Sequence, residues 1–405
     1  MNSKLLGGSM LLAGTSIGAG LLALPFTAGL GGFFPGIGAF LFCFLFMMYS
    51  MFLLLEASLY CKDSSANIIS MSRLHLGIFA ETTAWVCTLI LFYSICTAYL
   101  SGGGGLIRSA LNHSFNINLS STICIFIYII SIGSFSAAGI TWTDRINRIL
   151  MIGLISSYLA MIFVVSPHAS LTNLSSGKPL SLLAALPIIS AAFAGHPVLP
   201  SLRTYLNDDL PSLKKIIIVG SCIPLAMYLV WQFLILSIIP QTGAHGLIAV
   251  SKSSNSLEML SNVLSTDMNI AHVSTLNNSF SFFAIVTSYL GITLALYDFL
   301  NDGLKLHQRP HGRMINLTLT FLPPLVFSLL FGGFSRAISY AGLMVIILYA
   351  ILPATMVWKA RYDSHDDAKL VTWGGKPGLI LTYIISFTII GLHFAGEFNL
   401  IQSLQ

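Results

Sequence analysis

The stretch Gly14-Thr15-Ser16-Ile17-Gly18-Ala19-Gly20-Leu21-Leu22-Ala23-Leu24-Pro25 lies inside an apolar run that extends from about residue 5 to 26. Glycine is the poorest helix former after proline, and proline removes a backbone donor, so this run predicts a helix interrupted at Thr15-Ser16-Ile17-Gly18-Ala19-Gly20. A second stretch repeats the pattern. Ala194-Gly195 and Leu199-Pro200 overlay Ala19-Gly20 and Leu24-Pro25 at an offset of 175 residues, with Leu186 on Leu11. Pro187 and Pro197 mark the second stretch as another interrupted helix. Glycine and proline are common in membrane helices, where they serve packing or kinks, so one such helix says little. Two at matching positions point to a site.

Working outward, apolar runs long enough to cross a hydrocarbon core recur at about 5–26, 34–60, 82–107, 121–138, 148–167, 182–200, 214–240, 279–301, 314–332, 337–358 and 376–396. Lipid admits only helices and closed barrels, and these runs are too long and continuously apolar for barrel strands. The expected fold is an all-α membrane protein of about 11 transmembrane helices. The first run follows Lys4 as a leader would, yet it is long enough to span and another run follows at once, so it is read as a span.

Composition agrees. Of 405 residues 55% are hydrophobic and 8% charged, with a mean hydropathy of +0.84. Soluble domains carry about 25% charged residues, so a fully water-exposed surface is excluded. The net charge of +5 comes from basic residues scattered singly between apolar runs, which argues against nucleic acid as a partner and for membrane lipid. Six cysteines without a CxxC pair read as small buried hydrophobes, so neither a disulfide framework nor a metal site is expected. With the N-terminus in the cytoplasm, only Arg108, Lys178, Lys252 and Arg336 of the 19 Lys and Arg fall outside. That bias is what the positive-inside rule predicts, and it puts the C-terminus outside. The longest loop, about 241–278, is then external, and its pattern Leu257, Leu260, Val263 and Leu264 suggests a short amphipathic lid.

The interrupted first and sixth runs open two successive groups of five. Five is odd, so the groups cross the membrane in opposite senses, as in an inverted-topology repeat whose paired broken helices mark a transporter's binding site. Repeat one is 5–167, repeat two is 182–358, and 376–396 is an extra C-terminal helix. Unwinding frees N–H and C=O groups at mid-membrane, tolerated only where they line a cavity or meet a ligand. Half-helix N-termini suit a carboxylate and C-terminal ends an ammonium group. The pair reads as a receptor for a zwitterion.

The first stretch, with Leu54-Leu55-Glu56, Ala98-Tyr99-Leu100-Ser101-Gly102, Phe193-x-x-His196, Gly220-Ser221-x-Ile223-Pro224, Leu290-Gly291-x-x-Leu294-x-Leu296-x-Asp298 and Thr320-Phe321-Leu322-Pro323-Pro324, resembles the aromatic (hydroxy/aromatic) amino acid permeases. Within that family of tyrosine and tryptophan permeases the chain is most like the tyrosine-specific members. The resemblance implies the amino acid–polyamine–organocation superfamily and a LeuT-type 5+5 fold with broken helices 1 and 6. It also implies import of an aromatic amino acid by proton symport across a bacterial inner membrane, with no other cofactor and sodium coupling left open. Carried over by position, Thr15, Ser16, Ile17, Gly18, Ala19 and Gly20 with Phe193, Ala194 and Gly195 would clasp the substrate's main-chain groups, and Phe193 would gate the pocket. Gly195 and Pro197 depart from the family pattern and bear on pocket size.

Further candidates are polar groups in apolar surroundings, each with a plainer reading beside it. His196 either caps unwound carbonyls or, read functionally, binds substrate or relays protons; His393, outside both repeats, is read as structural. Tyr93 and Tyr99 are six residues apart, about 600° of helical rotation, so at most one faces the pocket. Tyr99 is the one in a family-like stretch, and an interfacial tyrosine is its alternative. Thr287 and Ser288 stand where sodium-coupled relatives of the fold place hydroxyls, although such hydroxyls commonly bond back to their own helix. Glu56 and Asp298, near the cytoplasmic ends of their runs, either pair with Lys or Arg at an inner gate or carry the coupled proton.

A membrane enzyme would need something like HExxH, GxSxG or paired intramembrane aspartates, and none is present. Ser101-Gly102-Gly103-Gly104-Gly105 lacks the Lys of a phosphate loop and reads as close helix packing. Charge rings and filter repeats of a channel are absent. Tyrosine, tryptophan or another neutral amino acid remain open as substrate, as does the oligomeric state.

Overall fold

The computed structural model describes residues 3–61, 63–64, 66–137, 140–174, 176–253, 256, 259–260, 263, 273–331, 333–363 and 372–398, with side chains at all of these except 3, 19, 113–114, 136–137, 140–145, 147–148 and 274. Among them every regular element is helical. Nine helices are long and apolar enough to cross a membrane, and a bent pair at the N-terminus passes the same test as a tenth. The chain is a multi-pass membrane protein.

The first apolar run forms that bent pair: α1 (Ser3–Ser16) and α2 (Ala19–Thr27), at 51° to each other. Then come α3 (Phe33–Leu59), a short surface helix α4 (Ile68–Leu76), and α5 (Ile78–Phe115), which at 38 residues overshoots its apolar run at both ends. Sequence periodicity missed α4, whose signal is its cap: the Asn67 side chain accepts from the N–H groups of Ile69 and Ser70, both at 3.0 Å. The fourth run becomes α6 (Ser121–Ala137), at 17 residues shorter than any of the nine spanning helices, followed by α7 (Ile140–Val165). The sixth run is broken into α8 (Leu182–Ala192) and α9 (Leu199–Tyr205). The remaining helices are α10 (Leu210–Ile238), the loop helix α11 (Leu247–Lys252), α12 (Val273–Gly303), α13 (Gly312–Leu330), α14 (Phe334–Ile346), α15 (Leu352–Tyr362) and α16 (Gly375–Glu397). α14 and α15 are one span joined by a π-helical turn, Ile347–Ile351. In the long loop before α12, Leu260 and Val263 are buried, whereas Leu257 and Leu264 lie outside the described residues.

Packing follows the small residues. Gly103 and Gly104 let α6 approach α5 so closely that a Cβ on either would strike Tyr128 or Ile125. α1 packs along α10, and α2 against α8, while α8 is also held by α3, α14 and α16. The C-terminal end of α2 is knitted shut. Lys178 donates its N–H to the Leu30 carbonyl at 2.9 Å and Gln241 donates Nε2 to the Gly29 carbonyl at 2.7 Å. Gly32 and Gly177, at φ +88° and +145°, touch backbone to backbone, which no side chain would permit. Phe26 meets Phe334 edge to face nearby, at 6.4 Å between centroids.

Candidate functional site at two facing helix breaks

The first break is narrower than its glycine content suggests. Thr15 and Ser16 remain helical, and their hydroxyls bond back to the carbonyls of Leu11 and Leu12 at 2.9 and 3.2 Å. Ile17 still donates to Ala13, at 2.9 Å, and the chain turns at Gly18, with φ −149° and ψ −132°, outside the helical region. Ala19 and Gly20 already belong to α2; the side chain of Ala19 lies outside the described set.

The second break is longer. α8 ends at Ala192, Phe193-Ala194-Gly195 are non-helical, and His196–Val198 make a 3-10 turn before α9. Pro197 and Pro200, lacking an N–H, stand in the first turns of the new segments, where no donor is needed.

The fold presses these two breaks together. A Cβ on Gly20 would lie 2.9 Å from the Ala192 Cα, and one on Gly195 would lie 2.9 Å from the Ser16 Oγ. Between them stands a residue that sequence reasoning missed. Tyr228 of α10, fully buried, aims its hydroxyl at the Ser16 carbonyl, 2.8 Å away, and at the Ala192 carbonyl, 2.7 Å away. These are the last carbonyls of α1 and α8, so the negative ends of two half-helices converge on one point. The only trace of this in the sequence is a tyrosine deep in an apolar run, whose hydroxyl must find a partner when buried.

Other expected residues gather here. A Cβ on Gly18 would come 3.1 Å from the Tyr99 hydroxyl and 3.5 Å from the Ser288 Oγ, so α5 and α12 both face the first break. Tyr93 instead donates to the Leu319 carbonyl on α13 at 2.9 Å. Phe193 is buried edge-on to Phe44 and Tyr228, at 5.9 and 5.3 Å. The Thr287 hydroxyl bonds back to the carbonyls of Phe283 and Ala284 at 2.8 and 3.2 Å. From the half-buried Ser288, a stripe of Gly291, Ala295, Asp298 and Asp302 runs exposed down α12. Large apolar residues would be expected there if the stripe faced lipid alone.

His196 is fully buried and faces α3 and the π turn. Its Nε2 lies 3.3 Å from the Ser50 Oγ, its ring stacks on Tyr349 at 5.0 Å, and its Nδ1 has no hydrogen-bond partner among the described residues. His393 pairs through Nδ1 with Ser339 at 3.0 Å, tying α16 to α14.

Glu56 belongs to a separate cluster. Its carboxylate takes a two-pronged bond from Arg361, with Nη2 at 2.6 Å from Oε2, and both side chains are buried. Oε2 also accepts from the N–H and hydroxyl of Thr372, both at 2.8 Å. This clamp joins α3, α15 and the segment entering α16. Arg203 makes a second tie nearby, between the Ser58 carbonyl and Asp208. No local sequence pattern singles out Arg361.

Among the described residues no group of three or more His, Cys, Asp or Glu is placed to hold a metal ion. An all-helical multi-pass protein with two interrupted helices closed on each other belongs to the class of membrane permeases. The tryptophan/tyrosine permease family model matches residues 1–393, and the chain belongs to that family. It is 32% identical over 399 residues to Tyrosine-specific transport system 1 of Haemophilus influenzae, and 29% identical over 399 residues to Tyrosine-specific transport system 2 of the same organism, each covering 97% of both chains. A tryptophan-specific transport protein of Pseudomonas aeruginosa is 30% identical over 415 residues, 98% of this chain and 97% of its own. The chain is a permease and not an enzyme.

Proposed function

We propose that this permease imports an aromatic amino acid, tyrosine before tryptophan, across a bacterial inner membrane by proton symport with alternating access. The observation that carries the reading is the meeting of the two breaks, where the carbonyl ends of α1 and α8 converge beside the N-terminal end of α2. Such a place offers acceptors to an ammonium group and N–H groups to a carboxylate. Tyr99, Phe193 and Ser288 border it and would meet the substrate's ring or cation. Full-length similarity to proteins named for tyrosine transport supports the substrate, and tryptophan-specific relatives of similar identity make tryptophan the second reading.

In the same reading α6 also crosses, which brings the crossings to eleven, and the architecture is the LeuT-type 5+5 repeat plus α16. The N-terminus is cytoplasmic and the C-terminus external. Glu56 is a gate clamp, because its carboxylate is saturated by Arg361 and Thr372. His196, with an unpartnered ring nitrogen, is the better proton acceptor. Asp298 lines the inner approach. The back-bonded Thr287 supports protons over sodium as the coupling ion.

Radiolabelled tyrosine uptake into proteoliposomes, with proton and sodium gradients imposed separately, tests this. Uptake should follow the proton gradient and be inhibited by tryptophan. Uptake driven by sodium alone would overturn the coupling, and absence of tyrosine counterflow would overturn the substrate.

A further inference from the structure

Tyr228 has a role that neither helix break explains by itself. Its phenol carries one proton, yet its oxygen lies 2.8 Å from the Ser16 carbonyl and 2.7 Å from the Ala192 carbonyl. One proton satisfies one acceptor fully, or two in part. The two carbonyls therefore keep unused lone pairs at the point where two negative helix ends meet, in a site buried from water. The ring is fixed by packing: Phe193 meets it edge to face at 5.3 Å, and the residue is fully buried. A rigid donor thus reaches both breaks from a third helix, α10, which also packs along α1.

We propose that Tyr228 is a positioning residue for the substrate's ammonium group. It holds the Ser16 and Ala192 carbonyls at the separation at which both accept from one ammonium. The inference rests on the zwitterion reading of the breaks and adds the group that sets their geometry. Tyr228 acts through the backbone, so its effect falls on main-chain recognition and is blind to the substrate's side chain.

The test pairs the Tyr228 hydroxyl with the substrate ammonium. Inhibition of radiolabelled tyrosine uptake by unlabelled tyrosine and by its desamino analogue, 3-(4-hydroxyphenyl)propionate, is measured in proteoliposomes carrying wild type or Tyr228→Phe. Wild type should prefer tyrosine, and in Tyr228→Phe that preference should fall about tenfold, as expected when a bond to a charged group is lost. The ratio of the KM values for tyrosine and tryptophan should stay within about twofold, since side-chain recognition is untouched. Incorporating 4-aminophenylalanine at position 228, which keeps a donor there, should restore the preference, and it serves alone if Tyr228→Phe does not fold. An unchanged preference in Tyr228→Phe, or lost preference with the amino-bearing ring, overturns the role of Tyr228. Equal inhibition by both compounds in wild type overturns the underlying zwitterion reading instead.

Discussion

Gly20 and Gly14 separate what a glycine does from where it stands. A methyl group on Gly20 would lie 2.5 Å from the Ala192 Cβ, whereas one on Gly14 meets nothing within 4 Å. Gly20→Ala should therefore force the breaks apart and lower tyrosine uptake at least about tenfold, while Gly14→Ala stays within about twofold, measured at equal reconstituted protein. The Glu56–Arg361 pair carries stability in a different way. Removing either partner leaves a buried charge unpaired, so Glu56→Ala or Arg361→Ala should each cost about 3–5 kcal/mol of folding stability. Glu56→Leu combined with Arg361→Leu should cost clearly less than the two single changes together, read by thermal unfolding in detergent. At this scale the sequence was partly legible. Glu56 stood out because an acid inside an apolar run demands a partner, but its partner is 305 residues away and no local pattern names it. Tyr228 was invisible for the same reason: its acceptors lie 212 and 36 residues off.

At the scale of elements, the interruptions were the strongest local signal, since Gly and Pro act on the backbone directly. The offset of 175 between the two stretches places the end of α1 within one residue of the end of α8. Beyond that the two breaks differ, because Pro197 and Pro200 delay the second half-helix to Leu199 while α2 resumes at Ala19. The run Ser101 to Gly105 was read as close packing, and α6 does lie on Gly103 and Gly104. Because α6 is short, this seam should dominate its docking. Gly103→Leu should drive Tyr128 away and lower the unfolding temperature, read by thermal unfolding in detergent. The short α4 went unread because two and a half turns carry too few residues for a periodic signal.

For the molecule as a whole, composition alone decided that the chain lives in lipid, and its apolar runs located nearly every long helix. The handedness of the assembly in the membrane rests on charge. Single cysteines in a cysteine-free background should show it: Lys252→Cys should react with a membrane-impermeant maleimide added to intact cells, and Lys305→Cys should react only after the cells are opened. The reverse pattern would invert the topology. Which helices touch across the bundle could not be read from the sequence, since apolar faces in lipid do not say which neighbour they meet. Hence the pairing of the two breaks was foreseen, and the third helix that joins them through Tyr228 was not.

That pairing makes a definite claim, that the two breaks grip the charged main-chain groups of a free amino acid. The most direct test is tyrosine counterflow in proteoliposomes, challenged with tyramine, which lacks the carboxylate, and with 3-(4-hydroxyphenyl)propionate, which lacks the ammonium group. Each compound keeps the phenol, so each should compete at least about tenfold more weakly than tyrosine itself. Competition by either compound as strong as by tyrosine would contradict the account.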